Sequence, residues 1–536
     1  MKISFTFYST LLFLLFFHSA CAQGDFQANF TDLESFGEPM NSSTTKKAWK
    51  NESVMLFIKV NAGSTAPIKV KISSPRKNWS NEIYHLAYVK GDLSAGYCGQ
   101  DKIDGEFATQ MFPDRAIPVK VNTTYTPDSI DHYVMVRIKT DQKIKSKTFP
   151  LTITLAQGDA VSELKAEIQV LGKILPSLSQ LDLHTDFWQH PRSVAEYHDV
   201  IPYSDEHMDH LEKNFDQLAE INQNSITTSV FWDLFNTSKK DPKQMMIQTS
   251  KKSDGSYSFD YTNFEKYVKL GISKGIDKQI SVHNLFPWNN FLFYYDEEKG
   301  EVEAIRTLPM TPVYKEFWVA FLDDFGPYLK KQGWHDKVVF VIDERNAKQT
   351  LEVIKFVHEI DPNFKMGYAG RFYPSLSPHV YDYSVPVNVV MEDDVIESRK
   401  KAGQITSLYT TCFEKQPNML LMSNPMDIYF ILMLAKAKGY DGMLRWAFNL
   451  WSPQIPNNAI YTDLPSGDAH FVYPEGQNSL RYFIIKDALE EVQKMEVQRQ
   501  KRNTRDMLKA HQRYYLLNVE SSRMEMIKSM KNHLND

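Results

Sequence analysis

From about Lys173 onward, short apolar segments alternate with segments of helical periodicity, and this alternation constrains the fold more than any other feature. Strands are predicted at 181–187, 226–232, 279–284, 337–344, 364–369, 387–391, 405–412 and 442–451. Helical patterns are found at 205–223, 263–274, 313–331, 349–360, 425–438 and 479–499. Eight strands, each followed by a helix or by a loop that could hold one, predict a (β/α)8 barrel over residues 173–494.

The segments on either side of this region have different patterns. Residues 24–172 are rich in turns, with predicted strands at 53–60, 68–72, 133–138, 149–155 and 164–170. Short alternating strands of this kind predict a β-sandwich domain, with Pro113, Pro118 and Pro127 in the linkers. Residues 495–536 are charged and rich in Met, which predicts a helical C-terminal tail lying on the barrel.

The first 22 residues resemble a secretory signal peptide. Lys2 supplies the positive charge, and the apolar segment 5–17 is too short for a comfortable membrane span. Cleavage after Ala22 would release a free protein, whereas cleavage before Cys21 would leave a lipidated cysteine and a membrane anchor. Both alternatives remain open, and both predict an exported protein: secreted, periplasmic or at the cell surface.

Composition and motifs exclude several classes of partner. A formal net charge of −5 gives no reason to expect a nucleic acid as partner. Cys98 and Cys412 fall in different predicted domains, so no disulfide framework is expected. No group of His, Cys and Asp residues has the spacing of metal ligands, and no phosphate-binding loop or nucleophile elbow occurs. We therefore expect no metal and no cofactor.

Residues 337–344 carry the first indication of chemistry. Their sequence, Lys-Val-Val-Phe-Val-Ile-Asp-Glu, is an apolar segment typical of a strand buried on both faces, and it ends in two carboxylates. An unpaired buried carboxylate is costly, and acidic residues at the C-terminal end of a barrel strand usually face the active site. The structural alternative is that Glu344 pairs with Arg345 or caps the next helix.

Other predicted strands also end in polar or aromatic residues, which would surround the same mouth of the barrel. The candidates for substrate binding are Asp186, Trp232, His283, Tyr409, Trp446, Asn449, Trp451 and Asp468. Carboxylates among aromatic rings suit a carbohydrate, whose C–H faces stack on Trp and Tyr. Each has a plainer alternative: His283 could be a buried or rim histidine, Trp232 could be core, and Asp393–Asp394 could begin a helix.

The adjacency of Asp343 and Glu344 limits the possible mechanism. Ordinary retaining glycosidases place two carboxyl groups about 5–5.5 Å apart on opposite sides of the scissile bond, which neighbouring residues cannot easily do. They suit a substrate-assisted mechanism, in which the 2-acetamido oxygen of the sugar is the nucleophile. One carboxylate then orients the amide, and the other is the general acid and base.

Three blocks of sequence resemble glycoside hydrolase family 123, the retaining β-N-acetylgalactosaminidases. They are the strand that ends in Asp343-Glu344, the segment 408–418, and the segment 439–451 with its continuation at 467–481. The resemblance implies a β-sandwich before a barrel, Glu344 as acid/base, Asp343 as the acetamide-orienting residue, and Tyr409, Trp446 and Trp451 around the reacting sugar. The segment 425–430 and Phe483 depart from the family pattern and affect the expected sugar specificity.

Three functions follow, in order of preference. The first is an exported, exo-acting glycosidase that releases a terminal β-linked N-acetylhexosamine, with N-acetylgalactosamine preferred. The second is a non-catalytic, surface glycan-binding protein. The third is a two-carboxylate glycosidase that uses Glu344 with a distant acid such as Asp186 or Glu392.

Overall fold

The computed structural model describes residues 26–34, 37–73, 79–92, 109–235, 241–414, 416–461, 464–499 and 520–535. The predicted signal peptide, Cys21 and Cys98 lie outside these ranges. We expected no disulfide framework, yet Cys412 is disulfide-bonded, and both other cysteines lie outside the described residues. Within the described ranges, no helix combines the length and apolarity needed to cross a bilayer.

The N-terminal part is a sandwich of two sheets. Its strands are β1 Gln27–Thr31, β2 Ser43–Lys50, β3 Ser53–Asn61, β4 Ile68–Ser73, β5 Ser80–Asp92, β6 Thr109–Val119, β7 Thr124–Tyr125, β8 Asp131–Lys139, β9 Thr148–Gln157 and β10 Ala160–Ile174. One sheet contains β1-β3-β8-β5-β6 and the other β2-β10-β9-β4-β7. In β4, buried Ile68 and Val70 alternate with exposed Lys69 and Lys71, the pattern of a sheet with one solvated face.

Two of the three prolines that we placed in linkers lie inside a strand instead. Pro113 and Pro118 belong to β6, opposite Tyr88 and Tyr84 of β5. A proline has no N–H to donate to the ladder, so it is tolerated in a strand that forms few backbone hydrogen bonds on one side. Among the residues that the structure describes, the second side of β6 pairs through Arg115 and Ala116 alone.

The second part alternates strands and helices. In chain order the elements are β11 His184–Phe187, α1 Pro191–His198, α2 Asp205–Glu220, β12 Ser225–Ser229, β13 Gln248–Lys251, β14 Tyr257–Asp260, α3 Thr262–Ser273, β15 Gln279–His283, β16 Phe291–Asp296, β17 Glu301–Arg306, α4 Pro312–Gln332, β18 Val338–Asp343, α5 Ala347–Ile360, β19 Lys365–Ala369, β20 Asp382–Pro386, α6 Asp393–Lys401, β21 Ile405–Tyr409, α7 Met426–Ala437, β22 Gly442–Arg445, β23 Val472–Tyr473, β24 Gln477–Ser479, α8 Leu480–Gln498 and α9 Glu520–Asn535.

Eight of these strands form one parallel sheet in the order β11-β22-β21-β20-β19-β18-β15-β12. Each strand lies beside its neighbour in the series, as in a (β/α)8 barrel. Asn224 N donates to Thr185 O at 3.0 Å, which brings β11 beside β12 and nearly closes the barrel. The predicted architecture of sandwich, barrel and C-terminal helical tail is confirmed.

Two details of the barrel differ from the prediction. The sixth strand is Asp382–Pro386 and not 387–391, and the connection from β19 to β20 contains a 3-10 turn, Ser377–His379, where the repeat calls for an α-helix. In β20, Asp382 accepts from Gln279 Nε2 at 2.8 Å, and Ser384 Oγ lies 2.6 Å from Ser407 Oγ. This strand therefore faces a polar part of the barrel interior, which hides it in a search for apolar segments.

The two parts of the chain share structural elements. Strands β23 and β24 follow the last barrel strand, but they extend the sandwich sheet next to β6. Helix α8 runs without a break across residues 494 and 495, where we placed the boundary between barrel and tail, and α9 packs against α7, α8 and β2. Arg523 of α9 donates to buried Asp427 of α7 at 2.9 Å. The exact domain boundaries remain predictions.

Candidate active site

Strand β18 positions the two adjacent carboxylates. Val339 and Val341 pack in the apolar cluster inside the barrel, so the two-residue period of a strand directs Asp343 to the same side. Glu344 would then face away, but its φ is +48°, in the left-handed region that a non-glycine residue rarely adopts. Its amide still donates to Ala369 O at 2.7 Å. The turn at Glu344 brings both side chains to the mouth of the barrel.

The sequence left two structural roles open for Glu344, capping of the next helix and pairing with Arg345. Asn346 is the N-cap of α5, because its side chain accepts from Gln349 N at 3.0 Å. Arg345 directs its guanidinium to Asn290, with Nη2 2.9 Å from Oδ1. Glu344 instead accepts from the hydroxyl of buried Tyr409 at 2.7 Å. This half-buried carboxylate therefore neither caps the helix nor pairs with Arg345.

Asp343 has an altered acidity. Burial raises its pKa to about 7, and the negative charge of Glu344 adds to this effect. Trp288 opposes it, since the indole Nε1 donates to Asp343 Oδ2 at 2.9 Å, and the charge of Arg345 also lowers the pKa. A carboxyl group with a pKa near 7 can hold or release a proton at the pH where most enzymes work.

Arg345 positions the loop that carries Trp288. Its guanidinium stacks on Phe286, 4.2 Å from the ring centre, and Nη1 donates to the carbonyl of Trp288 at 3.3 Å. The carbonyl of Arg345 accepts in turn from Tyr368 OH at 2.7 Å. The loop after β15 is thus held against the end of β18 by the residue that follows the two acids.

A fully buried arginine supports the opposite side of the mouth. Arg445 Nη1 donates to Thr410 O at 2.5 Å, and Nη2 donates to a carboxylate oxygen of Asp468. The other oxygen of Asp468 accepts from Trp446 Nε1 at 3.1 Å. Thr410 is adjacent to Tyr409, so this network fixes the tyrosine that contacts Glu344 and a tryptophan of the same interior cluster.

Glu344 opens into a cleft of about 990 Å³ above the barrel. The cleft is much larger than a single side chain, and an oligosaccharide suits its mixed lining of rings, charges and amides. Residues that line it include Glu344, Tyr409, Arg371, Tyr373, Asn388, Phe413 and Glu414. Glu414 is nearly buried, and its carboxylate accepts from Thr411 N at 2.7 Å and from Thr411 Oγ1 at 3.1 Å.

Two predicted binding residues lie inside the barrel and not in this cleft. Asp186 accepts from Trp188 Nε1 at 3.1 Å, and burial raises its pKa to about 6. His283 packs edge-on against the Trp188 ring, with centroids 4.6 Å apart, and burial lowers its pKa to about 3. Both residues therefore support Trp188, whose ring belongs to the same interior cluster as Tyr409.

Three further predicted residues are buried and contact other groups of the protein. Trp232 is fully buried against Phe293, which agrees with its core alternative. Asn449 accepts from His190 N at 2.8 Å, and Trp451 Nε1 donates to Val472 O at 2.8 Å. The structure thus brings Asp343, Glu344 and Tyr409 to one mouth, with Trp446 and Asp468 beside them, and leaves these three out.

The distant acids proposed for a two-carboxylate mechanism do not line the cleft. Asp186 is buried beneath Trp188, and Glu392 is exposed at the N-cap position of α6. Asp393 and Asp394 form the first turn of that helix, as the alternative interpretation predicts.

Two groups of potential metal ligands occur among the described residues. His184, Asp186 and Asp382 meet inside the barrel, where His184 Nε2 lies 3.4 Å from Asp382 Oδ2. The other group, at the surface, consists of His198, His210 and Glu475. Neither group lines the cleft around Glu344.

Sequence reasoning named two members of the site without choosing them as site residues. Trp288 was placed among the groups that surround the mouth, and Arg345 was considered only as a partner of Glu344, whereas the structure shows Trp288 on Asp343 and Arg345 on the Trp288 loop. Trp288 follows the third predicted strand, and half of its side chain is exposed, which is unusual for a tryptophan. Its position after a strand was the available signal, but its contact with Asp343 depends on how the loop folds back.

Comparison with known proteins identifies the family. The family model described as glycoside hydrolase 123, catalytic domain, matches residues 188–498. A solved family 123 glycoside hydrolase from Clostridium perfringens, studied for glycolipid glycan hydrolysis, superposes with a TM-score of 0.79 at 18% identity, over 95% of this chain and 99% of that one. No curated protein sequence matches.

Two other solved glycosidases match with low TM-scores. A GH5 xyloglucanase from Bacteroides ovatus gives a TM-score of 0.30 at 10% identity, over 86% of this chain and 100% of that one. The β-glucuronidase 3 of Bacteroides uniformis gives 0.30 at 10% identity, over 86% and 51%. On the extent of the family match, this chain belongs to glycoside hydrolase family 123 and is an enzyme that hydrolyses glycans.

Proposed function

We propose that this glycoside hydrolase releases a terminal, β-linked 2-acetamido sugar, with N-acetylgalactosamine preferred, by a retaining, substrate-assisted mechanism. The observation that carries the proposal is the placement of Asp343 and Glu344. They are adjacent in sequence, both face the mouth of the barrel, and their hydrogen-bond partners there are the neutral donors Trp288 and Tyr409.

In this proposal Glu344 is the general acid and base. It faces the open cleft, where a leaving group has room, and Tyr409 fixes one of its oxygens. Glu344 donates its proton to the glycosidic oxygen as the bond to the sugar breaks. In the second step it takes a proton from the water that attacks the same carbon, which restores the starting state.

Asp343 orients the acetamido group. Its carboxylate accepts the N–H of the amide, which turns the amide oxygen towards the anomeric carbon and stabilises the positive charge of the oxazolinium intermediate. Trp288 holds one oxygen of Asp343 at 2.9 Å, so the carboxylate does not rotate freely. Attack by the amide oxygen and then by water inverts the carbon twice, so the configuration of the released sugar is retained.

The two carboxyl groups have different roles in the active state. Glu344 is the residue that donates the proton, and Asp343 carries the charge that orients the amide. Burial raises the pKa of Asp343 to about 7, so Asp343 is mainly charged above that pH. This division needs no second acid at a distance.

The experiment compares aryl β-glycosides of N-acetylgalactosamine, N-acetylglucosamine and galactose. The acetamido sugars should be hydrolysed and the galactoside should not, because it lacks the nucleophile. Asp343→Asn should lower kcat for the acetamido substrates by about 10²–10³, by analogy with the loss of one oriented charge-stabilising group. Asp323→Asn, at an exposed position of α4, is the matched control.

The alternative two-carboxylate mechanism has one candidate partner in the cleft, Glu414. Burial raises its pKa, and it lines the same cavity as Glu344. Its carboxylate is already engaged by Thr411, which favours a structural role. Rapid hydrolysis of the galactoside, abolished by Glu414→Gln, would replace our mechanism with this one. A non-catalytic glycan-binding protein would bind the glycans without hydrolysing any of them.

The substrate class and location extend the proposal. The related Clostridium perfringens enzyme was studied for the hydrolysis of glycolipid glycans, and glycans of that kind are reasonable substrates here. The signal-like N-terminus suits an exported enzyme, either free or anchored through a lipidated Cys21. Mass spectrometry of the mature N-terminus distinguishes these two forms.

A further inference from the structure

The cleft beside Glu344 contains a cation, Arg371, that pairs with no acidic group among the described residues. Arg371 lines the same cavity as Glu344 and is exposed. Among the described residues, its guanidinium has no hydrogen bond and no ion pair. An arginine kept free inside a binding cleft is a potential ligand for an anion, because its planar fork matches carboxylate and sulfate groups.

The other charged residues of the cleft are already engaged. Arg345 donates to Asn290 and to the Trp288 carbonyl. Glu344 accepts from Tyr409, and Glu414 accepts from Thr411. Arg371 is thus the cation available to a substrate among the described residues that line this cleft.

The backbone at Arg371 is held firmly although its side chain is free. Its carbonyl accepts from the hydroxyl of Tyr383 at 2.8 Å, and the same hydroxyl accepts from Tyr373 N at 2.9 Å. The preceding residue, Gly370, donates to Ser384 O at 3.0 Å and has a φ of +149°, which favours glycine. Tyr383 itself is fully buried. The guanidinium is therefore presented from a fixed point on the loop between β19 and β20.

The position of Arg371 indicates which part of the substrate it would contact. A general acid protonates the leaving oxygen, so the space in front of Glu344 receives the leaving group. Arg371 lines that space, together with Tyr373 and half-exposed Phe413, whose rings suit sugar faces. Asp343, which would hold the reacting sugar, is not among the residues that line this part of the cleft.

We infer that Arg371 binds an anionic substituent on the sugar next to the released one, so that the preferred substrates are acidic glycans. This inference rests on the proposed function, because it takes the leaving group to lie in front of Glu344. Two sources provide such a charge, the carboxylate of a sialic acid branch and a sulfate ester. Either can form paired hydrogen bonds with a guanidinium.

The test uses three oligosaccharides in which N-acetylgalactosamine is β-linked to galactose: one neutral, one sulfated on galactose and one with a sialic acid on galactose. We expect kcat/KM of the wild type to be about tenfold higher for at least one acidic glycan than for the neutral one, a ratio typical of one charge-assisted contact. The acidic glycan with the higher value identifies the source of the anion. This preference should weaken as salt rises from about 0.05 M to about 0.5 M, because screening affects charged contacts.

Three variants isolate the role of Arg371. Arg371→Gln should reduce the ratio of acidic to neutral substrate to about one, and Arg371→Lys should keep part of it. Arg306→Gln removes the same charge from an exposed position on β17, outside the cleft lining, and should keep the full ratio. A wild-type ratio of one, or an equal ratio in the wild type and Arg371→Gln, would overturn the inference.

A binding measurement separates this inference from the proposed function. Calorimetry with the Glu344→Gln variant measures affinity without turnover, and the acidic glycan should bind about tenfold more tightly than the neutral one. If no glycan is cleaved by the wild type, the proposed function fails. If all glycans bind equally, or none binds, the inference about Arg371 fails.

Discussion

Two of the pairs of adjacent carboxylates in this molecule, Asp343–Glu344 and Glu490–Glu491, lie in different surroundings. Asp343 and Glu344 end β18 at the cleft, where each has intermediate exposure. Glu490 and Glu491 lie within α8, at the contact between the barrel and the sandwich, and both are nearly inaccessible to solvent. The sequence predicts the first pair at the end of a buried strand and the second within a helix, but it does not show which groups contact either pair.

The pair in α8 is surrounded by cations and other fixed donors. Lys139 Nζ lies 3.0 Å from Glu490, whose other oxygen accepts from Ser53 N at 2.8 Å. Lys494, also fully buried, lies 3.3 Å from Glu491 and 2.6 Å from Glu52. Buried charges of this kind persist because each has an opposite charge beside it. They join the sandwich to the barrel.

The pair in β18 has neutral partners instead. A hydroxyl and an indole N–H fix the positions of the two carboxylates but supply no full positive charge. Arg345 is close enough to lower the pKa of Asp343, yet its guanidinium donates elsewhere. The difference teaches that a carboxyl group held by a neutral donor can exchange a proton near neutral pH, as Asp343 does, whereas the carboxylates in α8 are held by cations that join the two parts of the chain.

The largest expected effect is on catalysis. Glu344→Gln should lower kcat by about 10²–10⁴, the usual contribution of a positioned acid or base. Glu490→Gln removes the same charge from the other pair and should leave kcat per folded molecule within about twofold. Steady-state kinetics on an aryl β-N-acetylgalactosaminide measures both. Similar losses in the two variants would remove the functional distinction between the pairs.

The next effect is on stability. Lys494→Met leaves Glu52 and Glu491 buried without their shared cation, so the free energy of unfolding should fall by about 3–5 kcal/mol. Lys486→Met, on the same helix, breaks a surface pair with Glu220 and should cost about 0–1 kcal/mol. Urea denaturation measures both. If both variants lose the same small free energy of unfolding, Glu52 and Glu491 do not depend on Lys494.

The pH dependence of activity sharpens the comparison. Burial raises the pKa of Asp343 to about 7, so kcat/KM should fall as pH decreases below that value, because protonation removes the charge that orients the amide. Asp343→Asn removes this titrating group, and the acidic limb near pH 7 should therefore be absent from the profile of the variant. An acidic limb that is the same in the wild type and the variant would contradict its assignment to Asp343.

The smallest effect concerns the partner of Asp343. Trp288→Phe removes the indole N–H but keeps an aromatic ring, and it should cost about 1 kcal/mol of transition-state stabilisation, roughly a fivefold loss of kcat/KM. Because the N–H lowers the pKa of Asp343, the acidic limb should also move slightly to higher pH. Unchanged kinetics would show that Asp343 does not need this donor.

The sequence was sufficient for the architecture and for the central pair. Segment 337–344 is apolar and rich in β-branched residues, which is typical of a buried strand in a parallel sheet. Acidic residues at the end of such a strand are costly to bury, so they indicate a functional site. The sixth strand was misplaced because Asp382–Pro386 faces polar groups inside the barrel and so lacks the expected apolar pattern. A strand of this kind is recognised only when its partners are known.

Individual binding residues were harder to predict than the pair. The predicted strands 226–232 and 442–451 continue beyond the observed ends at Ser229 and Arg445, which explains why Trp232 and Asn449 were assigned to the mouth. The Arg445 network and the contact of Trp288 with Asp343 join segments far apart in the chain. Such contacts depend on loop paths, for which local patterns give no information.

The most direct test of the central claim varies the proposed nucleophile in the substrate. Aryl β-glycosides carrying acetamido, fluoroacetamido, difluoroacetamido and trifluoroacetamido groups differ in the nucleophilicity of the amide oxygen. If Asp343 orients that oxygen to attack the anomeric carbon, kcat should fall steeply with each added fluorine. A kcat that stays the same across the series would contradict participation by the amide and with it the shared role of Asp343 and Glu344.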